Sequence, residues 1–383
     1  MNRRKAIHQF SVSALILTGV NNISRAQEAK KKASPKAAAP KALPDNIEWH
    51  NVEEFGLEGR EWADLPRLRY YDRFPSEVEK KVPAPVWGLS RDSAGMMARF
   101  ASDSPTIAVR YTLRSERLAM PHMPATGVSG ADLYSLDPSD NRWKWVYCAQ
   151  PATKNVETIL VSGIEKKKRE FQLYLPLYNG VEKLEIGTLK GTAFTGHKPR
   201  PKPVVFYGTS ITHGASASRP GMVHPAILGR RLDRPVLNLG FSGNGRMDVG
   251  VGEMLGRLDA AAYVIDCLPN MGAALVAERT APLVKQLRAA RPGTPIILVE
   301  DRRNTNSWII KSRDDYHTAN HKALKQAFDE LTAAGVKQLY YVGGDALLGD
   351  DTEGTVDASH PTDLGFYRQA GVMEPVIRKA LGL

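Results

Sequence analysis

Cysteine and long apolar runs are scarce in this chain. Its 383 residues include two cysteines, Cys148 and Cys267, one in each half, so we predict two separate buried thiols rather than a disulfide. The apolar run at residues 10–20 is shorter than the roughly 20 residues that span a bilayer. His317 and His321 lie four residues apart on a predicted helix, but no third ligand accompanies them. We therefore predict a solvated helix face there and no metal site.

Acidic residues are scarce near the start of the chain. Residues 1–44 contain nine Lys or Arg and one Glu, a charge of +8 out of the total of +11. The rest of the chain is therefore close to neutral, which disfavours a nucleic-acid partner.

Residues 1–26 have the pattern of an export signal. Residues 3–5 are Arg-Arg-Lys, the apolar run follows, and residues 24–26 offer small side chains for cleavage. We predict a periplasmic or extracellular protein, with the Sec and twin-arginine routes both open and an uncleaved amphipathic N-terminus as the alternative. Residues 27–44 are rich in Lys, Ala and Pro and predict a disordered linker.

Residues 45–200 have the pattern of a β domain. Residues 106–113 alternate as a half-buried strand does, and residues 132–136 and 144–148 are similar. Further strands are predicted at 170–178 and 181–187, with Gly, Pro, Asn and Asp between the runs. This spacing predicts an accessory β-sandwich or jelly roll.

Residues 201–383 alternate between apolar strands and helices. Strands are predicted at 204–207, 235–239, 262–266, 295–299 and 337–342, and helices at 222–231, 246–257, 274–290, 314–334 and 364–380. Such alternation predicts an α/β domain with a parallel sheet and helices on both of its faces.

Ser210 is the candidate nucleophile. It follows the first strand of this region by way of Gly208, so it is expected at the carboxyl edge of the sheet, where ligands of α/β proteins bind. A nucleophilic serine also needs a base, a group that orients the base, and donors for an oxyanion. The alternative is a turn serine that caps the next helix.

The same sheet edge is expected to hold these other groups. Gly243 follows the second strand, Asn270 follows the third, and Asp357 and His360 precede the last helix. A Gly-rich turn, an Asx turn and a loop histidine are the structural alternatives when each is taken alone. Their joint occurrence at one edge favours a site in which Asp357 orients His360 as base.

These blocks resemble the SGNH hydrolase superfamily, or GDSL-type esterases and lipases, over residues 203–383. The resemblance implies a flavodoxin-like three-layer domain and a triad of Ser210, Asp357 and His360. It implies an oxyanion hole formed by the backbone N–H groups of Ser210 and Gly243 and the side chain of Asn270. The chain has Gly-Thr-Ser where the named motif has Gly-Asp-Ser, and Leu-Pro-Asn where it has Gly-x-Asn-Asp.

The front half resembles the Gly-x-Asp-Leu-Tyr domain that precedes the catalytic domain in some bacterial SGNH hydrolases. The resemblance rests on residues 86–95 and on residues 120–134, which include Gly130, Asp132 and Tyr134. Carbohydrate esterases are similar in plan, with a β jelly roll before an SGNH domain.

The resemblance implies a serine esterase that works through an acyl-enzyme without a metal or cofactor. An acetyl ester on a carbohydrate is the favoured substrate, and the partner is expected to be a small-molecule or polysaccharide ester. A lipid or phospholipid acylhydrolase and a non-catalytic glycan-binding protein are the alternatives. Arg219 is expected either to line the substrate pocket or to form a structural salt bridge. Five aromatic residues could stack on sugars or fill the core: Trp62, Trp87, Trp143, Trp145 and Tyr147.

Overall fold

The computed structural model describes residues 43–383 of the chain. The predicted export signal at 1–26, and the predicted linker up to residue 42, lie outside the described residues. None of the helices within 43–383 is both long enough and apolar enough to cross a membrane.

Two antiparallel sheets form a sandwich in the front half. Their strands are β1 (Ile47–Asn51), β2 (Met97–Ser102), β3 (Thr106–Leu113), β4 (Asp132–Asp137), β5 (Arg142–Cys148), β6 (Asn155–Ser162), β7 (Arg169–Tyr174), β8 (Val181–Leu189) and β9 (Phe194–Gly196). One sheet has the order β1-β8-β3-β6 and the other β5-β4-β7-β2-β9. Alternate side chains of β3, such as Ile107 and Val109, enter the same core as Phe100 and Phe171 of the other sheet. The predicted sandwich is confirmed, although β1, β2, β6 and β9 were not predicted.

A parallel sheet with helices on both faces forms the second half, as predicted. Its strands are β10 (Val204–Gly208), β11 (Val236–Gly240), β12 (Ala262–Asp266), β13 (Ile296–Val299) and β14 (Leu339–Val342). The order β11-β10-β12-β13-β14 is that of flavodoxin-like folds. The helices of residues 43–383 are α1 (Ala84–Leu89), α2 (Ala125–Val128), α3 (Ser210–His213), α4 (His224–Leu232), α5 (Val249–Gly256), α6 (Ala273–Ala290), α7 (Lys311–Ala333) and α8 (Asp363–Leu381).

Strand β10 is buried on both faces of the parallel sheet. Val204 and Phe206 pack into the core that contains residues of α4 and α8, while Val205 and Tyr207 pack into the core with α5 and α6. All four side chains are fully buried. A strand covered on both sides reads as a continuous apolar run, which is why this element was evident from the sequence.

The front half also covers one face of the parallel sheet. Trp62, Phe74 and Val86 pack in the same core as Val205, and Trp62 Nε1 donates to the carbonyl oxygen of Met254 at 3.2 Å. The predicted boundary near residue 200 therefore separates two kinds of sheet, while a shared hydrophobic core crosses it.

Two sequence predictions about polar and thiol groups have different outcomes. Cys148 and Cys267 are free and buried, as predicted. The solvated face predicted for His317 and His321 is wrong, because these residues are only 3% and 8% exposed. Their face of α7 packs against the loop after β13, where His321 Nε2 lies 2.6 Å from the carbonyl oxygen of Asp301.

Candidate active site

The turn after β10 presents Ser210 at the carboxyl edge of the parallel sheet. Ser210 opens α3, and the Thr209 side chain caps that short helix by accepting from the N–H of Ile211. Gly214 ends the helix with φ at +114°, a conformation that glycine adopts without strain. The Ser210 side chain is mostly buried, with 7% of the residue exposed.

Ser210, His360 and Asp357 form a continuous hydrogen-bonded chain. Ser210 Oγ lies 2.9 Å from His360 Nε2, and His360 Nδ1 lies 2.7 Å from Asp357 Oδ2. A ring whose Nδ1–H donates to a carboxylate leaves Nε2 as an acceptor for the serine hydroxyl. The structure thus brings together the three residues predicted as a triad, in the geometry that lets a serine lose its proton to histidine.

The Asp357 carboxylate is held by two further donors. Its Oδ1 accepts the backbone N–H groups of His360 at 2.8 Å and of Ser359 at 3.1 Å. Burial acts to raise the pKa of Asp357, but the hydrogen bonds from His360 and Ser359 outweigh it and lower that pKa. The carboxylate is therefore ionised at neutral pH and able to stabilise a positively charged His360 ring.

Two loops beside Ser210 carry the predicted oxyanion donors. Gly243 has φ at +71°, and no atom lies within 4 Å of the position that a Cβ would occupy there. Among residues 43–383, the backbone N–H groups of Ser210 and Gly243 donate to no protein acceptor. Asn270 ends a short 3-10 helix after β12, and its Oδ1 is buried without a partner in the described residues. The two backbone N–H groups thus remain available to an oxyanion. The unpartnered Asn270 atom is an acceptor, so the donor role of the Asn270 amide stays a prediction.

Helix α7 fixes the loop that carries Asn270. The Tyr316 hydroxyl and Asn320 Nδ2 donate to the carbonyl oxygen of Met271 at 2.8 and 3.0 Å. Two donors on one carbonyl restrict the peptide between Met271 and Gly272, one residue beyond Asn270. Sequence reasoning missed both residues, because nothing local relates a helix position to a loop 45 residues earlier.

A buried ion pair between Asp266 and Arg302 lies next to the turn that carries Ser210. Asp266, the last residue of β12, accepts from Arg302 Nη2 at 2.8 Å and from the Thr212 hydroxyl at 3.1 Å. Burial raises the pKa of Asp266, with Arg302 acting in the opposite direction. Since Thr212 lies two residues after Ser210, this contact anchors α3 to the neighbouring strand.

Arg73 of the front half supports the second strand of the sheet. Its buried guanidinium donates to the carbonyl oxygens of Asn238 at 3.1 Å and Gly240 at 2.8 Å, and also to those of Leu89 and Asp92. Burial lowers the pKa of Arg73 to about 10, with Asp92 acting in the opposite direction, so the side chain stays charged at neutral pH. The strand that leads to Gly243 is thus fixed by the front half.

The Gly-x-Asp-Leu-Tyr motif docks the front half onto the loop after the nucleophile. Asp132 accepts from Arg219 at 3.0 Å, from the backbone N–H of Gly221 at 2.8 Å and from Trp145 Nε1 at 2.8 Å. Arg219 also donates to the Tyr134 hydroxyl. Arg219 therefore forms a structural salt bridge, one of its two predicted roles, and its contact with substrate stays a prediction.

The loop after β13 joins the loop that carries the triad. Thr305 N–H donates to the carbonyl oxygen of Ala358 at 2.9 Å, and its hydroxyl lies 2.8 Å from that of Thr355. On the same loop Trp308 and Ile309 are 77% and 66% exposed. Of the five aromatic residues proposed from the sequence, Trp62 and Trp87 are buried in the core, whereas Trp145 is 50% exposed.

Two family profiles match the chain in succession. The profile described as the N-terminus of Esterase_SGNH_hydro-type matches residues 47–194, and the profile of the GDSL-like Lipase/Acylhydrolase family matches residues 201–378. No curated protein matches the chain.

Solved structures of the same fold agree with these profiles. A GDSL-like lipase from Bacteroides ovatus is 34% identical, with a TM-score of 0.82 over 88% of this chain and 98% of that chain. Two further structures share the fold at low identity. The salicylyl-acyltransferase SsfX3 of a tetracycline biosynthetic pathway has 17% identity and a TM-score of 0.67, over 90% of this chain and 97% of that one. The acetyl xylan esterase Est2A from Butyrivibrio proteoclasticus has 11% identity and a TM-score of 0.53, over 88% and 99%.

The fold and the family profiles together define a carboxylic ester hydrolase of the SGNH type. The chain belongs to the GDSL-like lipase/acylhydrolase family, with the Gly-x-Asp-Leu-Tyr domain in front of its catalytic region. The resemblance seen in the sequence is thereby confirmed.

Proposed function

We propose that the protein is an exported serine esterase that removes acetyl groups from carbohydrates. The observation that carries this proposal is the chain from Ser210 Oγ through the His360 ring to Asp357, with distances of 2.9 and 2.7 Å. The proposed export rests on the pattern of residues 1–26.

His360 takes the hydroxyl proton of Ser210 as Oγ attacks the ester carbonyl carbon. The oxyanion that forms receives hydrogen bonds from the N–H groups of Ser210 and Gly243 and from the amide of Asn270. Each such donor is typically worth about 3–4 kcal/mol of barrier. His360 then protonates the departing alcohol oxygen, and water hydrolyses the acyl-enzyme with His360 acting again as base.

Several features support a carbohydrate ester. The chain after residue 44 is close to neutral, which suits an uncharged polymer. Carbohydrate esterases of family two and an acetyl xylan esterase share the fold. Exposed aromatic side chains, Trp145 of the front half and Trp308 on the loop joined to the triad loop, offer flat surfaces for sugar rings.

Hydrolysis of esters with longer acyl chains is a second candidate function. Trp308 and Ile309 expose large apolar surfaces on the loop that hydrogen-bonds to Ala358, and an apolar rim can also receive an alkyl chain.

A chain-length series of p-nitrophenyl esters separates the two candidates. The acetylesterase proposal predicts the highest kcat/KM for acetate, together with release of acetate from acetylated glycans. A maximum at eight carbons or more would instead establish the second candidate. Ser210→Ala serves as the control, and binding of glycans without any ester cleavage by the unaltered protein would indicate a non-catalytic binding protein.

A further inference from the structure

The front half places one side chain directly beside the catalytic base. Met120 and Met123 exchange backbone hydrogen bonds of 2.9 and 3.0 Å, which closes a tight turn with Pro121 and His122 at its tip. The His122 ring lies with its centroid 5.9 Å from that of His360, and the two planes differ by 30°.

The turn is anchored in the core, while its tip is free. Met123 is 2% exposed and belongs to the core that includes Ile211, the residue after the nucleophile. His122 is exposed and makes no hydrogen bond or ion pair with any side chain of residues 43–383. An exposed side chain held at this place without a hydrogen-bond or ionic partner contributes little to the stability of the fold.

The ester must pass close to this turn during the reaction. His360 Nδ1 is occupied by Asp357 and Nε2 faces Ser210. Because the oxyanion points toward Gly243 and Asn270, the alcohol oxygen has to approach His360 Nε2 to receive its proton. The alcohol portion of the ester therefore leaves on the side of His360, where the tip of the turn stands.

We propose that His122 contacts the alcohol portion of the ester and determines which alcohols the enzyme accepts. This proposal rests on the function proposed for Ser210. A neutral imidazole carries one donor and one acceptor, so it can bind a sugar hydroxyl next to the cleaved ester. The front half would then supply alcohol specificity, while the second half supplies the chemistry.

The test compares two esters with the same acyl group and different alcohols, p-nitrophenyl acetate and xylose tetraacetate. We expect His122→Ala to leave kcat/KM for p-nitrophenyl acetate within about threefold. For the sugar acetate we expect a fall of about tenfold, mainly through KM, as for the loss of one hydrogen bond. His122→Gln keeps a donor and an acceptor and should recover part of the loss.

The matched control is His197→Ala, because His197 lies in the front half, where its Nε2 is 2.7 Å from Glu170 Oε2. This substitution should leave kcat/KM unchanged for both esters. Equal losses on both esters, or no loss on either, in His122→Ala would overturn the proposal while leaving the esterase intact. If the unaltered enzyme cleaved neither ester, the proposed function would fall as well. The midpoint of thermal unfolding should be unchanged in both His122 variants, since this side chain is exposed.

Discussion

Arg73 Nη1 donates a 2.8 Å hydrogen bond to the carbonyl oxygen of Gly240, although the two residues are 167 positions apart. Gly240 ends the strand that leads to Gly243, so a side chain of the front half fixes the backbone that leads to the proposed oxyanion donor. The front half is therefore part of the architecture of the catalytic region.

Arg73→Ala is expected to destabilise the protein strongly. The substitution leaves several buried carbonyl oxygens without a donor, which should lower the free energy of unfolding by about 3 kcal/mol or more. Urea denaturation measures the loss. Arg142→Ala is the control, because Arg142 is an exposed strand residue whose replacement should change stability by no more than about 0.5 kcal/mol. Similar losses in both variants would contradict the anchoring role of Arg73.

Asp357→Asn should lower kcat by about 10³–10⁴-fold with little change in KM. An amide in place of the carboxylate removes the charge that stabilises the His360 imidazolium and disturbs the ring tautomer. Steady-state kinetics with p-nitrophenyl acetate gives the result. Asp351→Asn, at a residue of the same loop region that pairs with Arg368 at 2.7 Å, should retain normal kcat. A loss of less than tenfold in Asp357→Asn would show that this carboxylate does not assist the base.

Gly243→Ala should reduce kcat by tenfold or more. No atom lies near the new methyl group, so the cost comes from the positive φ of +71°, about 1–2 kcal/mol for a residue with a side chain. Relief of that strain would turn the N–H away from the oxyanion. Gly335→Ala is matched in conformation, with φ at +82° and open space around it. A fall of kcat in both variants would mean that the loss reflects general strain rather than the oxyanion donor.

The stability of the protein should depend on Glu61 between about pH 4.5 and pH 7. Burial raises the pKa of Glu61 to about 7, with Arg67 acting in the opposite direction. The folded state thus binds this proton more tightly than the unfolded state, and its contribution to stability falls as the pH rises through that interval. Glu61→Gln should therefore gain stability relative to the unaltered protein as the pH increases from 4.5 to 7.5. If the urea midpoints of Glu61→Gln and of the unaltered protein changed in parallel across this pH range, the expectation would be contradicted.

The parallel half was predictable from the sequence because burial on both faces leaves long apolar strands. Helix α4, for example, was predicted at 222–231 and spans His224–Leu232. In the front half, β1 and β6 mix polar and apolar side chains on partly exposed surfaces, and β9 has only three residues. Such strands are defined by their neighbours in the sheet more than by their own pattern.

The candidate site also contains residues that the sequence predicted and residues that it did not. Ser210, Gly243, Asn270, Asp357 and His360 each follow a strand or precede a helix, so topology alone predicted that they would lie at one edge. Arg73 and His122 lie on loops of the front half, and no local pattern in the sequence relates them to the site.

Covalent labelling with diethyl p-nitrophenyl phosphate tests the central claim most directly. The reagent phosphorylates a serine that is activated by a histidine. Intact-mass measurement should show one added diethylphosphoryl group, peptide mapping should place it on Ser210, and esterase activity should disappear in proportion. Equal labelling of Ser210→Ala, or full esterase activity in that variant, would contradict the assignment of Ser210 as the nucleophile.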